Sequence, residues 1–127
     1  MPFDWREFLI VAHELRHDQR EGVQRTCLGR AYYYVYNLGL KMARQMSWPE
    51  PSYGRHSKLW KWCENHSDRN IRRIGELGSR MYAFRIDSDY RDRPLSDPQA
   101  VEKQLSRARD FEARVAQQTN QTPPTAL

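Results

Sequence analysis

The feature that most constrains this chain is a proline-free stretch in which Val23, Cys27, Ala31, Tyr34, Val35, Leu38 and Met42 recur at helical spacing. So broad an apolar face predicts a long, largely buried helix from about Val23 to Met46, which other helices must cover. The flanking segments carry the same period. Asp4 is a good N-cap with Glu7 three residues on, and Trp5, Phe8, Leu9, Ala12 and Leu15 follow at helical spacing, predicting a first helix over about 5–17. Ser47-Trp48-Pro49-Glu50-Pro51-Ser52-Tyr53-Gly54 reads as the one substantial loop.

Structure is expected to resume near His56, with Leu59, Trp60 and Cys63 on a short third helix. Asp68 then caps a fourth helix whose buried stripe is Ile71, Ile74, Leu77, Gly78, Met81 and Phe84, running to about Tyr90. Pro94 and Pro98 interrupt the chain; Ser96 or Asp97 is the expected cap of a fifth helix carrying Val101, Leu105, Ala108, Phe111 and Val115. No segment alternates as a strand would. The expectation is one all-α domain over 1–116, which 127 residues can support around a single core, followed by a disordered tail over 117–127. Cys27 and Cys63 stand far apart, and no stretch resembles a signal peptide or a membrane span, so free thiols, a cytoplasmic setting and no membrane association are expected.

A net charge of +5 favours an acidic partner such as RNA, because phosphate contacts draw their affinity from Lys and Arg. The informative side chains are polar groups that border or interrupt the apolar stripes. On the second helix Thr26, Arg30, Tyr33 and Asn37 are spaced four, three and four residues apart, forming one polar strip. On the fourth, Arg85 and Asp89 continue the stripe of Met81 at successive intervals of four, with Tyr90 beside them. Two readings stay open at this point. Arg30, Arg85 and Asp89 form an internal ion-pair network that sets how the two helices pack, or the guanidiniums hold a phosphodiester while Tyr33, Asn37 or Tyr90 hydrogen-bonds it. The run Tyr32-Tyr33-Tyr34 with Tyr36 suits base stacking or, more simply, the core. Trp48, Trp60 and Trp62 are expected as exposed interface anchors.

His13-Glu14-Leu15-Arg16-His17 matches H-E-x-x-H, in which two histidines one helical turn apart bind zinc and the glutamate activates water. A metallopeptidase is the minor alternative it raises. Against it stand the absence of preceding strands, the charge of Arg16 inside the motif, and the lack of a third ligand; no metal site and no cofactor are expected.

Arg30-Ala31-Tyr32-Tyr33, followed after the proline loop and a short helix by Arg85-Ile86-Asp87-Ser88-Asp89-Tyr90, resembles the small HEPN-domain proteins, whose hallmarks are an "RAYY" helix and a later "R…ADY" helix end. The likeness extends over about residues 3–116 and includes the opening Phe3-Asp4-Trp5. It implies an up-and-down bundle of four to five helices, a homodimer, and in many cases a minimal nucleotidyltransferase partner within a toxin–antitoxin or phage-defence system. Catalytic members of that family are metal-independent ribonucleases with a histidine four to six residues after an arginine. Here no histidine follows Arg80 or Arg85 at that spacing, and Asp89 stands nearest to its place. An ordinary aspartate, with a pKa of about 3.9, is ionised at pH 7 and a poor proton donor. His56, opening the third helix, is the remaining candidate base. The resulting expectation is a binding or complex-forming module for a protein or RNA. The alternative is an endoribonuclease in which Arg85, Asp89 and His56 act on phosphate held by Arg30, Tyr33, Asn37 and Tyr90.

Overall fold

The computed structural model describes residues 2–92, 94–95 and 97–127. Five helices follow in order: α1 Arg6–Glu14, α2 Glu21–Gln45, α3 Arg55–Glu64, α4 Arg69–Tyr90 and α5 Ala100–Gln118. No strand occurs among the described residues, and no helix is long and apolar enough to cross a membrane.

The long helix α2 is the axis of the bundle and touches each of the other four. Cys27, Leu28, Ala31, Tyr32, Val35 and Met42 are all but fully buried on it, as the spacing of its apolar residues requires. Two glycine positions set how closely the helices approach. A Cβ at Gly75 would lie 2.7 Å from both Cys63 Cβ and Glu64 N, and one at Gly78 would enter the ring of Trp60. These absences let α3 lie directly on α4. Trp60, 1 % exposed, is thereby clasped between α4 and Gly39 of α2, with Phe111 of α5 edge-on at 5.7 Å between ring centres. Its indole N–H donates to Tyr32 Oη at 3.1 Å.

Two tryptophans expected at an interface are therefore core residues. Trp60 fills the four-helix junction, Trp48 is buried as well, and Trp62 is half-buried against it, because the proline loop folds back onto the bundle. Helix α1 is also shorter than its apolar period suggests. It ends at Glu14, with residues 15–17 in turns, although Asp4 does receive the Arg6 N–H at 3.0 Å. The helical turn linking the two histidines of His13-Glu14-Leu15-Arg16-His17 is thus broken after Glu14. Among the described residues no group of three histidine, cysteine or carboxylate side chains could hold a metal ion.

Asp68 caps α4 by accepting from Asn70 N and Ile71 N at 2.8 and 3.1 Å. Asp97 accepts from Gln99 N at 2.8 Å before α5, while the alternative cap, Ser96, lies outside the described residues. Helix α5 continues through Gln117 and Gln118, and residues 121–127 have no regular secondary structure. A buried polar contact ties α1, α2 and α5 together: Glu112 Oε1 accepts from Arg6 Nε at 2.6 Å and from Tyr34 Oη at 2.7 Å. Both cysteines are free and buried.

Candidate functional site

The two motif helices meet where the N-terminal half of α2 passes the C-terminal end of α4. Asp89 lies against Gly29, where an added Cβ would sit 3.6 Å from Oδ1. Thr26, Gly29, Arg30, Tyr33 and Asp89 line an open cavity of about 180 Å³ at this point. Beneath it, Arg85 is anchored twice. Nη2 donates to Tyr33 Oη at 2.6 Å, and Nε stands 2.9 Å from Asp89 Oδ2 in a charge contact whose N–H is not aimed along it. The guanidinium also lies over the rings of Tyr33 and Tyr90, at 5.0 and 5.5 Å from their centres. Its side chain is only 12 % exposed, against 35 % for Asp89.

This arrangement corrects the ion-pair network expected between the helices. The charge pair is internal to α4, one helical turn apart, and meets α2 at the hydroxyl and ring of Tyr33 and at Gly29 rather than at a charged side chain. Arg30 stays outside it, because its position on α2 turns the side chain toward α1, where the guanidinium covers Phe8 at 4.7 Å. Arg25, which no motif singled out, closes the end of α4 instead. Its Nη1 donates to the carbonyls of Ser88 and Arg91 at 2.8 and 2.9 Å, groups a helix end leaves unpaired.

His56 occupies an aromatic slot next to Tyr33. One ring face stacks on Tyr36 at 3.8 Å, the other lies near-parallel to Tyr82 at 5.4 Å, and Nδ1 is 2.7 Å from Tyr32 Oη. Since that hydroxyl already accepts from Trp60, its own hydrogen is free for Nδ1, which suits a neutral imidazole protonated at Nε2. Burial, then the positive charges of Arg85 and Arg55, holds the imidazole below its ordinary pKa.

Of the residues singled out by sequence, His56, Tyr33, Arg85, Asp89 and Tyr90 thus form one connected group, with Arg30 on its rim. Asn37 stands apart. Its amide donates back to the Tyr33 carbonyl at 2.8 Å, and it does not line the cavity. Tyr32 and Tyr34 are core residues, whereas Tyr33 and Tyr36 remain half-buried. Tyr82 was missed, although its place three residues before Arg85 puts it on the same face of α4.

Chemically, the cavity offers the Arg30 guanidinium, which pairs with no carboxylate among the described residues, the Asp89 carboxylate and the hydroxyls of Thr26 and Tyr33, with the neutral imidazole set back among tyrosines. Comparison with family models, with curated proteins and with solved structures finds no match to the chain.

Proposed function

We propose that this chain is a HEPN-like module of a prokaryotic toxin–antitoxin or phage-defence system, and that it binds RNA without cutting it. One observation carries the second half of this reading: the groups needed for proton transfer are already engaged. Asp89 is paired with Arg85, and the imidazole of His56 has Nδ1 on Tyr32 and both faces against tyrosines. Cleavage next to a ribose 2′-hydroxyl needs an acid or base within hydrogen-bond reach of the reacting atoms. The net charge of +5 and the arginine and tyrosine side chains around the α2–α4 cavity support a polyanionic ligand. The first half rests on the paired "RAYY" and "R…DY" motifs, which also imply a homodimer and a minimal nucleotidyltransferase or other defence partner; the two separated cysteines support a cytoplasmic setting.

Metal-independent endoribonuclease is the second reading. It is favoured by the convergence of His56 and Arg85 on Tyr33, and by an imidazole held neutral at pH 7, the form able to take a proton. Incubation of the purified protein with mixed cellular RNA, with and without EDTA, separates the two. Full-length RNA that co-elutes with the protein supports a binding module. EDTA-resistant cleavage, lost in an Arg85→Ala variant of unchanged helicity, would replace it with the nuclease.

A further inference from the structure

The positive charge of the chain is unevenly placed, and most of it lies away from the α2–α4 cavity. Helices α4 and α5 run antiparallel: Asn70 Nδ2 donates to the Arg114 carbonyl at 3.0 Å, while Arg107 lies over Phe84 near the other end. Along their shared outer edge stand Arg69, Arg72, Arg73 and Arg80 of α4 and Arg107 and Arg114 of α5. Four of these border one feature. An open cleft of about 630 Å³ is lined by Arg69, Arg72, Arg73 and Arg114 with Asn70, Glu76 and Gln117, and Arg73 is close enough to Arg107 to disfavour its charge.

Among the described residues, Glu76 and Asp110 are the carboxylates that pair with these guanidiniums, through Arg73 at 3.2 and 3.9 Å and Arg114 at 2.9 Å. Asp97 also acts on Arg107, but its carboxylate is taken by Lys103 at 2.7 Å. Arg69, Arg72, Arg80 and Arg107, four of the six, pair with no carboxylate among the described residues, on one edge of a molecule whose net charge is +5.

One further observation points to an absent anion. Arg107 pairs with no carboxylate among the described residues, and its Nη1 is buried without a hydrogen-bond partner. Burial first, then Arg80 and Arg73, destabilises its charge. A phosphate beside Arg107 would give its Nη1 an acceptor and offset the charges of Arg80 and Arg73.

We propose that the α4–α5 edge is a sequence-independent binding surface for the phosphodiester backbone of RNA. The proposal rests on the RNA-binding reading above and gives it a second, larger contact. From Arg69 to Arg80 the helix rises about 16 Å. On the scale of about 3.4 Å per phosphate along one strand of duplex DNA, that length faces about five phosphates or slightly more in the A-form of RNA, near the number of unpaired guanidiniums. Among the described residues Phe84 is the aromatic ring that these arginines cover, through Arg107, which leaves backbone charge rather than base stacking as the means of recognition.

The test uses fluorescence anisotropy of a mixed-sequence RNA duplex of about 20 base pairs, titrated with the full chain from about 50 to 200 mM salt. The Arg69→Gln/Arg73→Gln/Arg80→Gln variant changes three exposed side chains and should keep its thermal midpoint. Its affinity should fall at least about tenfold, and the slope of log affinity against log salt should become shallower by about two to three. Glu76→Gln should bind about two- to threefold more tightly, a gain that misfolding cannot imitate. Unchanged affinity and slope in the triple variant, with the wild type binding, would overturn this surface and leave the RNA-binding reading intact. Absence of duplex binding by the wild type overturns both. Equal displacement by polyglutamate of matched charge would overturn it in favour of an acidic protein partner. Cleavage of the RNA by the wild type, abolished together with binding in the triple variant, would refute the non-catalytic reading while supporting the surface.

Discussion

Replacing Gly78 by alanine tests the closest helix contact in the bundle, because an ordinarily stabilising substitution is expected here to destabilise. In an exposed helix interior, Gly→Ala gains about 1 kcal/mol from the lower backbone freedom of the unfolded chain. At Gly78 the new methyl carbon would lie 2.5 Å from Cδ2 and Cζ3 of Trp60, where carbon atoms in contact normally stand about 3.5–4.0 Å apart. The indole has little room to retreat. On its other side Gly39 leaves space that a Cβ would fill to 3.0 Å, Phe111 stands edge-on, and the Trp60 N–H is held by Tyr32. Helices α3 and α4 must therefore separate by about 1 Å, at the upper end of the usual overpacking cost, about 3 kcal/mol. Subtracting the helix gain leaves about 2 kcal/mol of destabilisation, or a thermal midpoint lower by about 8 °C for a chain of this size. Gly22→Ala supplies the control, since nothing lies within 4 Å of its added Cβ. Circular dichroism melts of both variants should move in opposite directions. A Gly78→Ala midpoint equal to or above that of the parent would refute the close crossing and with it the placement of Trp60.

Glu112→Ala should cost about 3 kcal/mol or more in urea unfolding, because it strands a largely buried Arg6 guanidinium and the Tyr34 hydroxyl; a loss under about 1 kcal/mol would mean that the contact is solvated. Stability should also fall with acidification through the histidine range. Folded His56 is held below its ordinary value by burial and by Arg85 and Arg55, so the unfolded chain takes up the proton first, near pH 6.5, and the stabilisation present above that pH is lost as pH falls toward the folded pKa. His13 has the same sign through burial and Arg16. Urea midpoints at about pH 7.5 and 5.5 should therefore differ, and His56→Gln should narrow the gap; an unaltered gap would show that His56 protonates freely in the fold.

The apolar spacing made the helices legible because each stripe has only one way to be buried: α2 and α4 start and end, and α3 starts, within about two residues of where their periods and caps place them. The same logic fails at α1, where Leu15 continues the period but lies in a turn and is exposed, so periodicity there describes a surface rather than the core. Side-chain neighbours inside one helix were equally readable, as the pairing of Arg85 with Asp89 illustrates. What spacing does not contain is rotation between helices. Arg30 and Arg85 bear the same guanidinium on facing helices, yet one turns to Phe8 and the other to Tyr33, a difference of rotation about α2 that no period encodes. The arginine edge was hidden for the same reason. Arg69, Arg73 and Arg80 read as the solvated side of α4 until α5 brings Arg107 and Arg114 alongside, and only then does ordinary surface charge become an unmatched cluster. A site built from one helix can be read along the chain, whereas a site built from two depends on their packing. The packing of α3 on α4 is equally silent in the sequence, since it is set by two glycines, Gly75 and Gly78, whose importance lies in side chains they lack.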